Sequence, residues 1–94
     1  MNLTKITACE KKDGYMITVE GHNEKSICAS ISTLVAAFEG WLLNNCPKGY
    51  KYTEKDGYCK FEAPASAKVP YEVFIIGVMR LERNFPDKVK VILK

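Results

Sequence analysis

The stretch Tyr50-Lys51-Tyr52-Thr53-Glu54-Lys55-Asp56-Gly57-Tyr58-Cys59-Lys60-Phe61-Glu62 decides the fold. Asp-Gly is a favoured pair in tight hairpin turns, where positive φ is needed and β-branched residues are excluded. The residues on either side are aromatic and strand-favouring, so Tyr50–Thr53 and Tyr58–Glu62 are predicted as two strands joined through Glu54–Gly57. The chain opens in the same way. Leu3 to Glu10 alternates like a strand, Lys12-Asp13-Gly14 is a turn, and Tyr15-Met16-Ile17-Thr18-Val19 is β-branched and aromatic-rich. This first hairpin gives out in the polar stretch Glu20–Lys25, whose Gly21 breaks the strand.

Between the hairpins the period changes. Ile27, Ile31, Leu34, Val35, Phe38 and Leu42 recur at helical spacing, which predicts a helix from an N-cap at Ser26 to about Leu43, stopped by Asn44, Asn45 and Pro47. After the second hairpin comes a loop with Pro64 and Ser66. A second helix is predicted to open at Pro70, where the missing N–H costs nothing, and to present Val73, Phe74, Gly77, Val78, Leu81 and Phe85 on one face before ending near Asn84. Lys88 to Leu93 reads as a last strand. The order is ββαββαβ, an α+β fold with two helices packed on one face of a small mixed or antiparallel sheet.

A chain of 94 residues has room for one domain, 1–94, with one modest core. Its 47% hydrophobic and 27% charged composition is ordinary for a globular protein. The net charge of +3 comes from 14 Lys and Arg against 11 Asp and Glu. Apart from a loose group of Lys48, Lys51, Lys55 and Lys60 the basic residues are scattered, so direct nucleic-acid binding is not expected. No stretch approaches the roughly 18 apolar residues of a membrane span, and no apolar signal segment leads the chain, so a cytoplasmic protein is expected. Cys9, Cys28, Cys46 and Cys59 include no Cys-x-x-Cys pair. Neither a metal site nor a disulfide framework is therefore expected, no cofactor is called for, and four free thiols remain.

Cys28 falls at about the second residue of the first predicted helix, where free backbone N–H groups and the helix dipole favour an anion. The same N–H groups could hold an oxyanion beside the sulfur. His22, the only histidine, lies at the exit of the second strand, and a loop this short keeps a strand end and a helix start close together. A Cys-His dyad is geometrically allowed. A histidine after glycine in a turn is also commonly a solvated loop residue, and a cysteine at a helix start is commonly core lining, so the residues alone leave both readings open. Trp41 is expected as an anchor in the core or an interface. Cys9, Cys46 and Cys59 are expected to pack as small hydrophobes, and Tyr50, Tyr52, Tyr58 and Phe61 to pair across strands or face a ligand.

Gly21-His22, followed after a polar loop by Ile27-Cys28-Ala29-Ser30-Ile31-Ser32, resembles the signature of the ribosomal-processing cysteine protease (Prp) family. Asn84-Phe85-Pro86 followed by Val89-Lys90-Val91 is similar to that family's closing Tyr-Pro and short last strand. The resemblance implies a homodimeric cysteine endopeptidase that removes the N-terminal extension of a large-subunit ribosomal protein precursor. On that pattern Cys28 matches the nucleophile and His22 the general base, while Gly21 and Ser32 match supporting positions around the substrate. The link between His22 and Cys28 is shorter than the family's, and Lys25 stands where the family commonly has Asp. The alternative expectation is a non-catalytic ribosome-associated module of the same fold, or an RNA-binding hairpin using Lys51, Tyr52, Tyr58 and Lys60.

Overall fold

The computed structural model describes residues 2–94. Strands β1 (Thr4–Lys11) and β2 (Gly14–Glu20) form the first hairpin, and helix α1 (Lys25–Asn45) follows. Strands β3 (Lys51–Lys55) and β4 (Tyr58–Pro64) form the second hairpin; a 3-10 turn at Ala65–Ala67 then leads into helix α2 (Lys68–Asn84), and β5 (Val89–Leu93) closes the chain. The order ββαββαβ and the α+β class are as expected.

The five strands make one mixed sheet in the order β3-β4-β2-β1-β5, in which β5 runs parallel to β1 and every other pair is antiparallel. Register explains why one face is buried. Ile6 sits opposite Val19 and Ala8 opposite Ile17, while Ile17 and Val19 sit opposite Phe61 and Cys59. Because side chains alternate along a strand, these residues share a face, and all of them are buried. Both helices cover that face. Phe38 of α1 meets Phe61 of β4 edge-on at 5.1 Å between ring centroids and lies 5.7 Å from Phe74 of α2. Tyr71 of α2 stacks on Tyr15 of β2 at 4.2 Å.

Helix α1 begins two residues earlier than predicted, and Ser26 is not its N-cap. Glu24 holds the cap position without a side-chain cap bond, and Ser26 lies inside the helix, its carbonyl accepting the Ser30 hydroxyl at 2.9 Å. The reason is Asn23, whose Oδ1 accepts the Glu24 N–H at 3.0 Å and sets the helix off earlier. Helix α2 opens at Lys68, so Pro70 lies in its first turn, where backbone N–H groups have no intrahelical partner. Its buried face also differs in phase: Tyr71, Phe74 and Val78 are inside, whereas Val73 and Phe85 are exposed. Tyr71 takes the place expected of Val73 because its ring has Tyr15 to stack on.

Contrary to the hydropathy reading above, α1 is long and apolar enough to cross a membrane by length and composition alone. Here Ile27, Ile31, Phe38 and Leu42 bury one of its faces against the sheet. Trp41 is half-buried against the same core.

Candidate active site

The site forms where the end of β2, the start of α1 and the turn of the second hairpin meet. The Glu20–Tyr58 pairing between β2 and β4 extends by one more bond, from the Gly21 N–H to the Gly57 carbonyl at 2.8 Å. Gly21 has φ +111°, and a Cβ there would run into the Leu3 carbonyl, so this position requires glycine. The Gly21 singled out in the sequence thus has a backbone role: it turns the chain off the sheet and delivers His22 over the hairpin turn.

His22 is two-thirds exposed, and its Nε2 lies 3.7 Å from the Asp56 carboxylate. Its ring also covers Gly57, where a Cβ would stand 2.6 Å from Nε2. Cys28 is half-buried, and its Sγ donates to the Asn23 carbonyl at 3.2 Å. Among the described residues no hydrogen bond joins His22 to Cys28. Each member of the sequence-predicted pair thus has a different partner.

Cys28 is the fourth residue of α1, not the second. Its own N–H is already committed to the Glu24 carbonyl at 2.9 Å. The helix-start donors without an intrahelical partner are those of Lys25, Ser26 and Ile27, one turn before the sulfur. Any anion held by this helix start would meet those three.

Cys28 and Ser32 line one wall of a cavity of about 360 Å³ that continues along α1 past Val35 and Ala36 to Glu39. At 1.5 Å per residue, Glu39 stands about 16 Å along the helix from Cys28. The opposite wall is the second hairpin, with Tyr52, Glu54, Gly57 and Tyr58. The arrangement is a groove with Cys28 at one end and Glu39 farther along the helix, Glu54 lies on the hairpin wall next to the turn, and His22 is not among the lining residues. Cys59 also lines it, but burial pushes that thiol up from its ordinary range, countered by a hydrogen bond with Tyr52. Tyr52 is itself pushed up to about 12 by burial first and by the negative charge of Cys59, Glu54 and Glu39 after it.

Strand alternation divides the hairpin side chains. Tyr52 and Phe61 face each other on the core side at 4.5 Å, so they lie on the opposite face from Lys51, Tyr58 and Lys60. The set considered for RNA therefore does not share one surface.

Two residues that matter here were not singled out in the sequence. Asp56 was read only as part of a turn, and its place beneath His22 depends on the β2–β4 register. Asn23 was read as loop; an Asn just before a helix is a capping signal, but its long-range bonds have no local trace.

No family model and no curated protein matches the chain. Solved structures do. The structure of the essential ribosomal processing protease Prp from S. aureus with a covalently linked product peptide is similar over 98% of this chain and 100% of that chain, with a TM-score of 0.86 at 10% sequence identity. The same protease with a substrate peptide gives a TM-score of 0.84 at 9% identity over the same shares. The protein SMU.848 from Streptococcus mutans gives 0.74 at 21% identity, over 98% of this chain and 96% of that one. The chain shares the fold of the Prp protease over 98% of its length.

Proposed function

We propose that this protein is a cysteine endopeptidase that removes the N-terminal extension of a large-subunit ribosomal protein precursor, acting in the cytoplasm as a homodimer. The observation that carries the reading is the position of Cys28, at the head of a groove in a fold shared with a ribosomal processing protease solved with peptides bound.

The chemistry follows from the groups present. His22 takes the proton from Cys28 Sγ, and the thiolate attacks the scissile carbonyl carbon. The resulting oxyanion is met by helix-start N–H groups. His22 returns its proton to the leaving amine as the C–N bond breaks, leaving a thioester on Cys28. Water, deprotonated by His22, then hydrolyses that thioester and restores the thiol. The dyad assembles by rotation of the exposed His22 ring away from Asp56, and Ser32 lines the groove one helical turn beyond the sulfur.

A second reading, a non-catalytic ribosome-associated module, draws on the separate partners of His22 and Cys28 in this structure. Alkylation by iodoacetamide separates the two. Catalysis expects Cys28 to react faster at neutral pH than Cys9, Cys46 and Cys59, and to slow in His22→Ala; four equally sluggish thiols would leave the non-catalytic module.

A further inference from the structure

We infer that Asn23 positions the proposed nucleophile: its side-chain amide pins the loop between His22 and Cys28, so that its own carbonyl holds the Cys28 proton. The inference deepens the cysteine-protease reading and rests on it in taking Cys28 as the nucleophile.

Asn23 is half-buried, and its amide is fully engaged. Its Nδ2 donates to the Lys88 carbonyl at 2.7 Å and to Thr4 Oγ1 at 3.2 Å, while Oδ1 accepts the Glu24 N–H at 3.0 Å. The anchors are themselves fixed. Thr4 is buried, and its N–H donates to the same Lys88 carbonyl at 2.9 Å, at the start of the parallel β1–β5 pairing. One side chain thus ties the loop to β1, to the residue just before β5 and to the N-cap of α1. A second tie, the Glu24–Lys88 ion pair at 2.7 Å, spans the same gap. Upstream the loop is fastened by the Gly21–Gly57 bond, so the Asn23 peptide has little freedom to turn its carbonyl away from Sγ.

A carbonyl oxygen accepting from S–H stabilises the neutral thiol, and a thiolate in the same place would face the negative end of that dipole. Proton transfer to His22 therefore requires the Asn23 carbonyl to give way. The titratable groups that line the groove with Cys28 are Glu39, Tyr52, Glu54, Lys55, Tyr58 and Cys59, and the loop and first turn of α1 add His22, Glu24 and Lys25. All are common to the wild type and to variants at Asn23, so a difference between those proteins reports the amide's hold.

The experiment measures the rate of Cys28 alkylation by iodoacetamide, site by site by mass spectrometry, from about pH 6 to about pH 9, a range that brackets ordinary thiol ionisation. In Asn23→Ala the reaction at neutral pH is about threefold faster or more and the whole profile moves to lower pH, as loss of a hydrogen bond to the neutral form requires. Thr4→Val, which removes only one of the two amide acceptors and keeps the side chain's shape, moves it the same way by less. Val78→Ala, a cavity in the core away from the loop, lowers stability and leaves the profile where it is. A profile unmoved or moved to higher pH in both Asn23→Ala and Thr4→Val overturns the inference, whether or not the wild type cleaves a precursor. A profile that moves as expected in a protein that cleaves nothing supports the hold on the thiol and counts against the protease reading alone.

Discussion

Nε2 of His22 lies 3.7 Å from Oδ2 of Asp56, across the turn of the second hairpin, and no hydrogen bond ties the ring to Cys28. The ring is two-thirds exposed and the carboxylate almost wholly so. Exposed pairs of this kind add little to stability, so the contact is a resting place from which the proposed base can rotate. What shapes that resting place is Gly57, at φ +70° beneath the ring.

Gly57→Ala is expected to do two things at once. An L side chain at that φ costs about 1–2 kcal/mol, seen as a lower urea midpoint. The new methyl group would also stand where the ring now sits, so the NMR signals of the protein's single histidine should shift. Asp56→Asn should leave the urea midpoint unchanged, because it alters only an exposed contact. Histidine signals unmoved in Gly57→Ala would contradict the placement of His22 over the turn.

Phe61 is the centre of the packing. It is fully buried, edge-on to Phe38 at 5.1 Å, 4.5 Å from Tyr52 and paired with Ile17 of β2, and so joins both hairpins to α1. Phe61→Ala should cost about 3–5 kcal/mol in chemical denaturation, a large share of the stability of a domain this size. A loss below about 1 kcal/mol, the range of ordinary surface substitutions, would mean the core is centred elsewhere.

Tyr52 gives the fold an alkaline weakness. Its folded-state pKa is raised from 10.0 to about 12, so the unfolded chain loses this proton more readily. The stability Tyr52 contributes is present in full below about pH 10 and is lost as pH rises from there towards 12. Tyr52→Phe removes the titrating group. Its stability should fall less steeply over that window than the wild type's, and parallel curves would contradict the assignment.

Cys59 should be the slowest of the four thiols. It is buried beneath Tyr52 and pushed up from its ordinary range, so in the native protein at neutral pH it should resist iodoacetamide and become reactive only in denaturant. Fast native labelling of Cys59 would show that the groove wall opens.

Local pattern carried most of the architecture. Asp56-Gly57 and Asp13-Gly14 announced the hairpins, and the spacing from Ile27 to Leu42 announced α1. The strand order was not legible, because pairing β2 with β4 and β1 with β5 depends on contacts between distant segments. The site inherits that limit. His22, Cys28, Gly21 and Ser32 could be picked out along the chain, but Asp56 reaches His22 only through the Glu20–Tyr58 register, and Asn23 reaches Lys88 only because β5 lies beside β1. The helix start was misread by two residues: the cap position falls to Glu24, which has no side-chain cap bond, next to an asparagine whose long-range ties leave no local trace.

The most direct test of the central claim is incubation with a large-subunit ribosomal protein precursor that carries its N-terminal extension, followed by intact mass. The wild type should release the extension, and Cys28→Ala should leave the precursor whole. A precursor left intact by the wild type under conditions where a Prp protease trims it, or trimmed equally by Cys28→Ala, would contradict the account.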